Sequence, residues 1–357
     1  MKTFSCTCGN TLYFENSQCM ACGRMLGFIS EELQISALEP ESDGLWRACL
    51  DGRRYRQCAN HRDYNICNWL VAEEDTHRYC ASCRLNHIIP NLGDKENIKL
   101  WHRIELAKRR LLYTLRELRL PIIGRDQDPV RGLAFEFMED ELGGDEFSDQ
   151  INEANQVLTG HRSGMITINL REAQDSAREK MREMMNEGYR TLLGHFRHEC
   201  GHYYWDRLVR GSHWLEGFRE RFGDERLDYQ QALNAYYQQG PRGDWQNGWI
   251  SAYASSHPWE DWAETWAHYL HMVDTLETAQ DFGLRTLAPN GEEAQSPSPA
   301  EADVASFDAL LHDWDRLSVG LNALNRSMGL PDAYPFILSD MALYKLRFVH
   351  EVIRGVS

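Results

Sequence analysis

Apolar residues recur at helical spacing between residues 96 and 119, where Trp101, Ile104, Leu111, Leu115 and Leu118 fall on one face. The segment reads as one long amphipathic helix. Its basic residues suit a solvated face, or one packed toward an acidic body. Leu120-Pro121 ends it, because the residue before proline avoids helical backbone. The period then changes. Residues 132–138 and 164–170 alternate apolar with polar, as half-buried strands do, and flank an acidic, glycine-rich loop at 139–149. Helical patterning returns as a charged surface helix at 171–188 and again at 189–209. A stretch rich in Trp, Tyr and Gly fills 211–250, and Pro258 stands where a further helix begins. A polar loop at 286–300 precedes closing helices at about 302–327 and 339–354.

The chemistry sits on two of these helices. His198, Glu199 and His202 form the pattern His-Glu-x-x-His. Residues four apart lie on one helical face, so both imidazoles can grip a single Zn²⁺, while Glu199 reaches a water beside the metal. A catalytic zinc takes three protein ligands and leaves a fourth position open. The helix at Pro258 offers Glu260 as the third ligand and, one turn on, Glu264 as the carboxylate that accepts the free N–H of a liganding imidazole. Glu264 or His268 as third ligand is the alternative. Among nearby residues, His195, His257, His268 and His271 are expected in outer contacts or packing, and Cys200 in helix packing. The expected reaction has Glu199 as general base on a zinc-activated water.

Ten cysteines in a chain without a signal peptide's apolar core read as metal ligands in a cytoplasmic protein. Cys6 and Cys8 with Cys19 and Cys22 can enclose a structural zinc, a ribbon at 1–30. A second cluster, at 45–92, holds Cys49, Cys58, Cys67, Cys80 and Cys83, of which Cys80-x-x-Cys83 is a firm half-site. His61 and His77 could substitute for a cysteine there. Beyond 93, with the basic helix as connector, the remainder forms one domain.

Charge narrows the partners. The net charge of −16 is uneven: residues 1–125 carry +3 and the rest −19. So acidic a main body repels phosphate, which argues against nucleic acid as a partner. No apolar run approaches membrane-spanning length. Oligomeric state leaves no trace in the sequence.

Two resemblances add to this reading. The phrases at 190–199 and 257–271 resemble a bacterial family of zinc-binding metallopeptidases with an N-terminal zinc ribbon. That resemblance runs through Cys67-Asn-Trp-Leu-Val and Cys83-Arg-Leu-Asn, so it makes Cys58 and Cys67 the partners of Cys80 and Cys83. Cys49 is left as a free buried thiol. Locally, His-Glu-x-Gly-His and Tyr-x6-Glu-x-x-Ala-Glu are similar to the protease domain of anthrax lethal factor. By that similarity Glu260 is the third ligand, Glu264 lies behind it, and Tyr253 is the hydroxyl that stabilises the oxyanion. Together they imply an α+β chain: cysteine zinc-ribbon modules, then a mostly helical, zincin-like (gluzincin-like) peptidase domain with a small sheet. In such peptidases a sheet edge aligns the substrate backbone, and residues 166–169 are the candidate edge. The expected cofactors are one catalytic and two structural Zn²⁺, and the expected partner is a protein or peptide substrate. An adaptor that keeps the peptidase fold without turnover is the alternative.

Overall fold

The computed structural model describes residues 1–140, 159–175, 191–284 and 306–356 of the chain. The loop expected at 139–149, the helix at 171–188 and the loop at 286–300 lie mostly or wholly outside these residues. The α+β class is as expected, with cysteine clusters at the N-terminal end and a helical body after them.

The chain opens with a two-stranded pair, β1 (Phe4–Ser5) and β2 (Thr11–Leu12). A five-stranded antiparallel sheet follows: β3 (Leu26–Ile29), β4 (Gln34–Pro40), β5 (Trp46–Ala48), β6 (Arg54–Gln57) and β7 (Leu70–Ala72). Strands this short bury little on their own, so they need outside support. Phe28 supplies part of it by packing on Phe14 and Trp69, with ring centroids 5.0 and 4.9 Å apart. Cys49 follows β5 and is exposed, not buried as expected. Its strand ends at Ala48, and the turn carries the thiol out to solvent.

A short helix α1 (Ala59–Tyr64) and strand β8 (Asn86–Ile88) lead to α2 (Lys95–Glu117), capped by the Asp94 side chain at Glu96 N. Trp101, Ile104, Leu111 and Leu115 are buried as the periodicity requires. Burial of each such side chain contributes about 1.5–3 kcal/mol, well above any propensity term. The basic face departs from expectation. Lys108 and Arg109 are interior: Lys108 pairs with the equally buried Glu105 at 2.9 Å, and Arg109 donates to Ile66 O at 2.6 Å. The helix is enclosed on more than one side, so these cations meet protein partners instead of water.

The second sheet has the order β10–β11–β9–β8, with β9 at Ala134–Met138, β10 at Gly160–Arg162 and β11 at Met165–Asn169. β8 and β11 run parallel to β9, and β10 pairs antiparallel with β11. β11 is therefore an interior strand: Ile166 and Thr167 have ladder partners on both sides, and Ile168 and Asn169 pair with β9. Among the described residues, β10 is the edge strand beside α3. The alternation at 164–170 identified a strand correctly, but alternation carries no information on which neighbours pair with it.

Helix α3 (Leu192–Tyr204) begins at Thr191, whose hydroxyl accepts from Gly194 N at 2.9 Å. Phe196 seats it on Phe135 and Phe137 of the sheet, at 5.7 and 6.4 Å. A turn of π-helix, Trp205–Val209, ends it. The stretch expected to be aromatic and glycine-rich carries α4 (Leu215–Phe222), α5 (Tyr229–Gln239) and α6 (Trp245–Gly248). Helix α7 (Pro258–Asp281) starts at proline, with His257 as its cap. Helices α8 (Phe307–Ser327) and α9 (Asp340–Arg354) complete the body.

Two contacts set the frame for the site. α3 and α7 cross at Gly201, where an added Cβ would stand 3.0 Å from Ala263 Cα and 3.2 Å from Trp266 Cβ. Trp262 Nε1 donates to Gly201 O at 2.9 Å across the same crossing. At its far end α7 holds the start of the chain. The Met1 amino group lies 3.1 Å from Glu277 Oε2, and Thr3 N donates to Asp281 Oδ2 at 2.6 Å. Among the described residues no helix is long and apolar enough to cross a membrane.

Candidate active site

The crossing at Gly201 turns one face of α3 toward the first turns of α7. It brings His198, His202 and Glu260 together, with one potential ligand atom from each within 4.8 Å of the others. His198 Nε2 lies 3.0 Å from Glu260 Oε2, and His202 Nε2 lies 3.4 Å from Glu260 Oε1. Ligand arms of about 2.0–2.1 Å in a tetrahedron put donor atoms about 3.4 Å apart, so the spacing fits zinc. Glu264 Oε1 takes the other side of His198, 2.7 Å from Nδ1, and Ser251 Oγ donates to Glu264 Oε2 at 2.6 Å. Neither Glu264 nor His268 joins the cluster. His268 Nδ1 is instead 2.8 Å from the Tyr334 hydroxyl.

Electrostatics supports the same fit. Burial opposes charge on His198, yet hydrogen bonding to Glu260 and Glu264 raises its pKa well above the usual value. One imidazole can bridge two carboxylates only as a cation, and a divalent ion between Nε2 and Glu260 supplies that positive charge instead. Glu264 would be raised by burial, but its hydrogen bond to His198 holds it at about 2. Glu199 is 8% exposed, and its carboxylate makes no hydrogen bond among the described residues. Burial pushes it above the ordinary carboxylate range, with the two histidines opposing. A carboxylate raised in this way takes up a proton more readily than an ordinary one, as a general base must.

The cysteines form two further groups. In the first, Cys6 Sγ lies 3.7 Å from Cys22 Sγ, and Cys8 Sγ lies 3.7 Å from Cys19 Sγ. In the second, Cys58, Cys67, Cys80 and Cys83 are all buried, and Cys67 Sγ lies 3.6 Å from Cys80 Sγ. Disulfides need about 2.05 Å, whereas a zinc tetrahedron with arms of about 2.3 Å has edges near 3.8 Å. Both groups fit zinc. His61 and His77 stand outside: His61 Nδ1 contacts Cys67 O at 2.6 Å, and His77 N donates to Asp75.

The remaining candidates divide. Tyr253 sits in a 3₁₀ turn, Tyr253–Ser256, with its ring 6.0 Å from that of His198. Its hydroxyl has no hydrogen bond among the described residues. Cys200 is buried and accepts from Trp266 Nε1 at 3.3 Å, as helix packing requires. His195 pairs with Glu172, His257 caps α7, and Arg197 donates to His271 at 3.2 Å.

Three residues at the site escaped the sequence reading. Tyr229 of α5 donates its hydroxyl to Glu260 Oε1 at 2.7 Å. Ser251 orients Glu264. His161 of β10 stacks on His202 with ring centroids 6.1 Å apart, and burial pushes its imidazole down to about 3. No spacing rule joins any of them to the motif. Only a tyrosine-rich stretch before α7 hinted at the first.

Residues 97–352 match the family described as "putative zinc-binding metallo-peptidase", and residues 3–94 match a family of zinc-ribbon domains. Similar proteins include two from Mycobacterium tuberculosis, strains H37Rv and CDC 1551, and one from Mycobacterium bovis, all named as uncharacterized. Each is 42% identical over 359 residues, spanning 100% of this chain and 96% of its own length. No solved structure matches the chain. The similarity to lethal factor therefore rests on the motif residues of α3 and of the segment from Tyr253 to Glu264.

Proposed function

The chain belongs to the family of putative zinc-binding metallo-peptidases that carries an N-terminal zinc ribbon, and from that premise we propose that it hydrolyses peptide bonds at the cluster of His198, His202 and Glu260. The carrying observation is the Glu199 carboxylate beside that cluster, on a residue 8% exposed and without a hydrogen bond among the described residues. A scaffold that only bound metal or a partner would have no use for such a base.

In this reading His198, His202 and Glu260 hold the catalytic Zn²⁺, and Glu264 fixes the tautomer and ring orientation of His198. When bound, zinc polarises the scissile carbonyl and lowers the pKa of water toward neutrality. Glu199 takes the proton of the attacking water and later delivers it to the leaving amine. The Tyr253 hydroxyl is free to donate to the carbonyl oxygen as negative charge develops there, an effect worth on the order of 100-fold in rate. An extended substrate backbone would find ladder partners along β10, the edge strand next to α3 among the described residues. The two cysteine clusters hold structural zinc, which makes three ions per chain, and the protein works in the cytoplasm.

Peptide-library cleavage by the zinc-loaded protein, with Glu199→Gln beside it, is the test. Cleavage should fall by at least about 1,000-fold in the variant while zinc content stays the same. Equal cleavage by both proteins, or none by either, removes the peptidase reading and leaves the adaptor.

A further inference from the structure

Tyr229 reaches the centre in an unusual way. It is the first residue of α5, an 11-residue helix with no buried residue. Two glycines bracket the helix, Gly223 at φ +104° and Gly240 at φ +80°, backbone conformations that other residues rarely adopt. Its inner face, Ala232, Leu233, Ala235 and Tyr236, is only half-buried, so the helix is held less firmly than one seated in a core. Three of the contacts that hold it are the Tyr229 hydroxyl on Glu260 Oε1 at 2.7 Å, His257 Nε2 against Leu227 O at 3.1 Å just before the helix, and the Tyr236 ring 5.7 Å from that of Tyr253. Each of the three falls on the active-site segment. The body of Tyr229 is 37% exposed, while its ring packs 5.2 Å from His257 and 5.9 Å from Trp259. The side chain thus spans from solvent to a ligand of the metal cluster.

We infer that Tyr229 is a second catalytic hydroxyl, brought in by α5 acting as a flap over the cleft. This rests on the peptidase reading above. Without substrate the hydroxyl rests on Glu260. As the scissile carbonyl becomes tetrahedral, its oxygen gains negative charge and takes over the hydrogen bond. That gain exists only in the transition state, so it raises kcat instead of tightening substrate. Tyr253 would donate from the segment before α7 and Tyr229 from the flap, so the oxygen receives hydrogen bonds from two sides. Substrate entry requires α5 to swing away, and the paired glycines supply the hinges.

A structural role makes a different forecast. If Tyr229 only steadied Glu260, its loss would weaken zinc and leave turnover intact at saturating metal. The test compares full-length wild type with Tyr229→Phe, zinc-loaded, on a peptide library and on fluorescein-labelled casein. Zinc affinity is measured in parallel by chelator competition. Acetohydroxamate binding is followed in the visible spectrum of the cobalt-substituted protein. The expected result is a kcat about 100-fold lower with KM within about twofold. Acetohydroxamate should bind about tenfold more weakly, for one lost hydrogen bond, with zinc affinity unchanged. Wild-type kcat and acetohydroxamate affinity in the variant overturn the inference, as does a loss of activity that saturating zinc restores. Wild-type protein that neither cleaves nor binds acetohydroxamate is a separate result, since it brings down the peptidase reading on which this one stands.

Discussion

Gly201 on α3 and Ala263 on α7 meet so closely that a methyl group on the glycine would lie 3.0 Å from the alanine Cα. The approach is backbone against backbone, so no side-chain rotation can relieve it. The crossing turns the face of α3 that carries His198 and His202 toward Glu260.

Gly201→Val should therefore separate the two helices. Overpacking a close contact costs about 1–3 kcal/mol, and here the strain falls on the ligand geometry. The expected outcome is a thermal midpoint lower by several degrees and loss of zinc from the histidine site, with both cysteine sites still loaded. Metal analysis of the purified variant checks this, and a full complement of zinc at wild-type stability would contradict it. Gly201→Ala is a milder probe, because alanine's better helix propensity, about 1 kcal/mol, offsets part of the crowding.

Glu264 contacts His198 and not the metal position, so its removal should weaken metal binding without abolishing it. Glu264→Ala is expected to reduce zinc affinity at the histidine site by about 10- to 100-fold. Ser251→Ala, which removes only the donor behind Glu264, should have a smaller effect in the same direction. Competition with a chromophoric chelator measures both. Wild-type affinity in Glu264→Ala would mean that the 2.7 Å contact is incidental.

Acid stability should depend on His268. The residue is buried at 2% exposure, and burial pushes its imidazole down to about 4, with Glu264 opposing and Arg197 reinforcing the shift. In the unfolded chain it protonates near pH 6.5. A folded pKa below the unfolded one gives stability that is complete above about pH 6.5 and is lost as pH falls toward about 4. His268→Gln removes that dependence. The difference in urea midpoint between variant and wild type, taken at about pH 7.5 and again at about pH 5, should move in favour of the variant. Protonation of metal ligands acts on both proteins alike and cancels. An unchanged difference would show that His268 does not titrate in this window.

The two cysteine clusters should empty in sequence. Cys8 and Cys22 of the first ribbon are exposed, whereas Cys58, Cys67, Cys80 and Cys83 are all buried. A mercurial thiol reagent should release zinc from the first ribbon rapidly, and from the second only as the surrounding sheet opens. Rapid mixing with a zinc indicator should resolve two thiol-dependent steps differing by at least about tenfold in rate. A single fast step would place the second cluster in reach of solvent.

The juxtaposition of His198 and His202 was legible because four residues separate them on one helix, and Pro258 marked the start of the helix that brings Glu260 to them. Partners set by tertiary contact were not legible. Lys108 and Arg109 look like surface residues because their partners Asn86 and Ile66 meet them only after folding. β10 is three residues long, Gly-His-Arg, too short for alternation to mark it, so the edge was assigned to its longer neighbour. Tyr229 lies 31 residues before Glu260, a distance no helical period spans. Cys49 was expected inside because unpaired thiols usually are, but the strand before it ends one residue too early.

Helix α7 carries Glu260 in its first turn and Glu277 near its last, about 25 Å apart along a rod of 1.5 Å per residue. The far end is clasped by the first three residues of the chain. A straight helix transmits tilt with little bending, so it works as a lever whose handle is the amino terminus. Trimming those three residues, or fusing a tag to them, would loosen the handle and unsettle the carboxylate at the opposite tip.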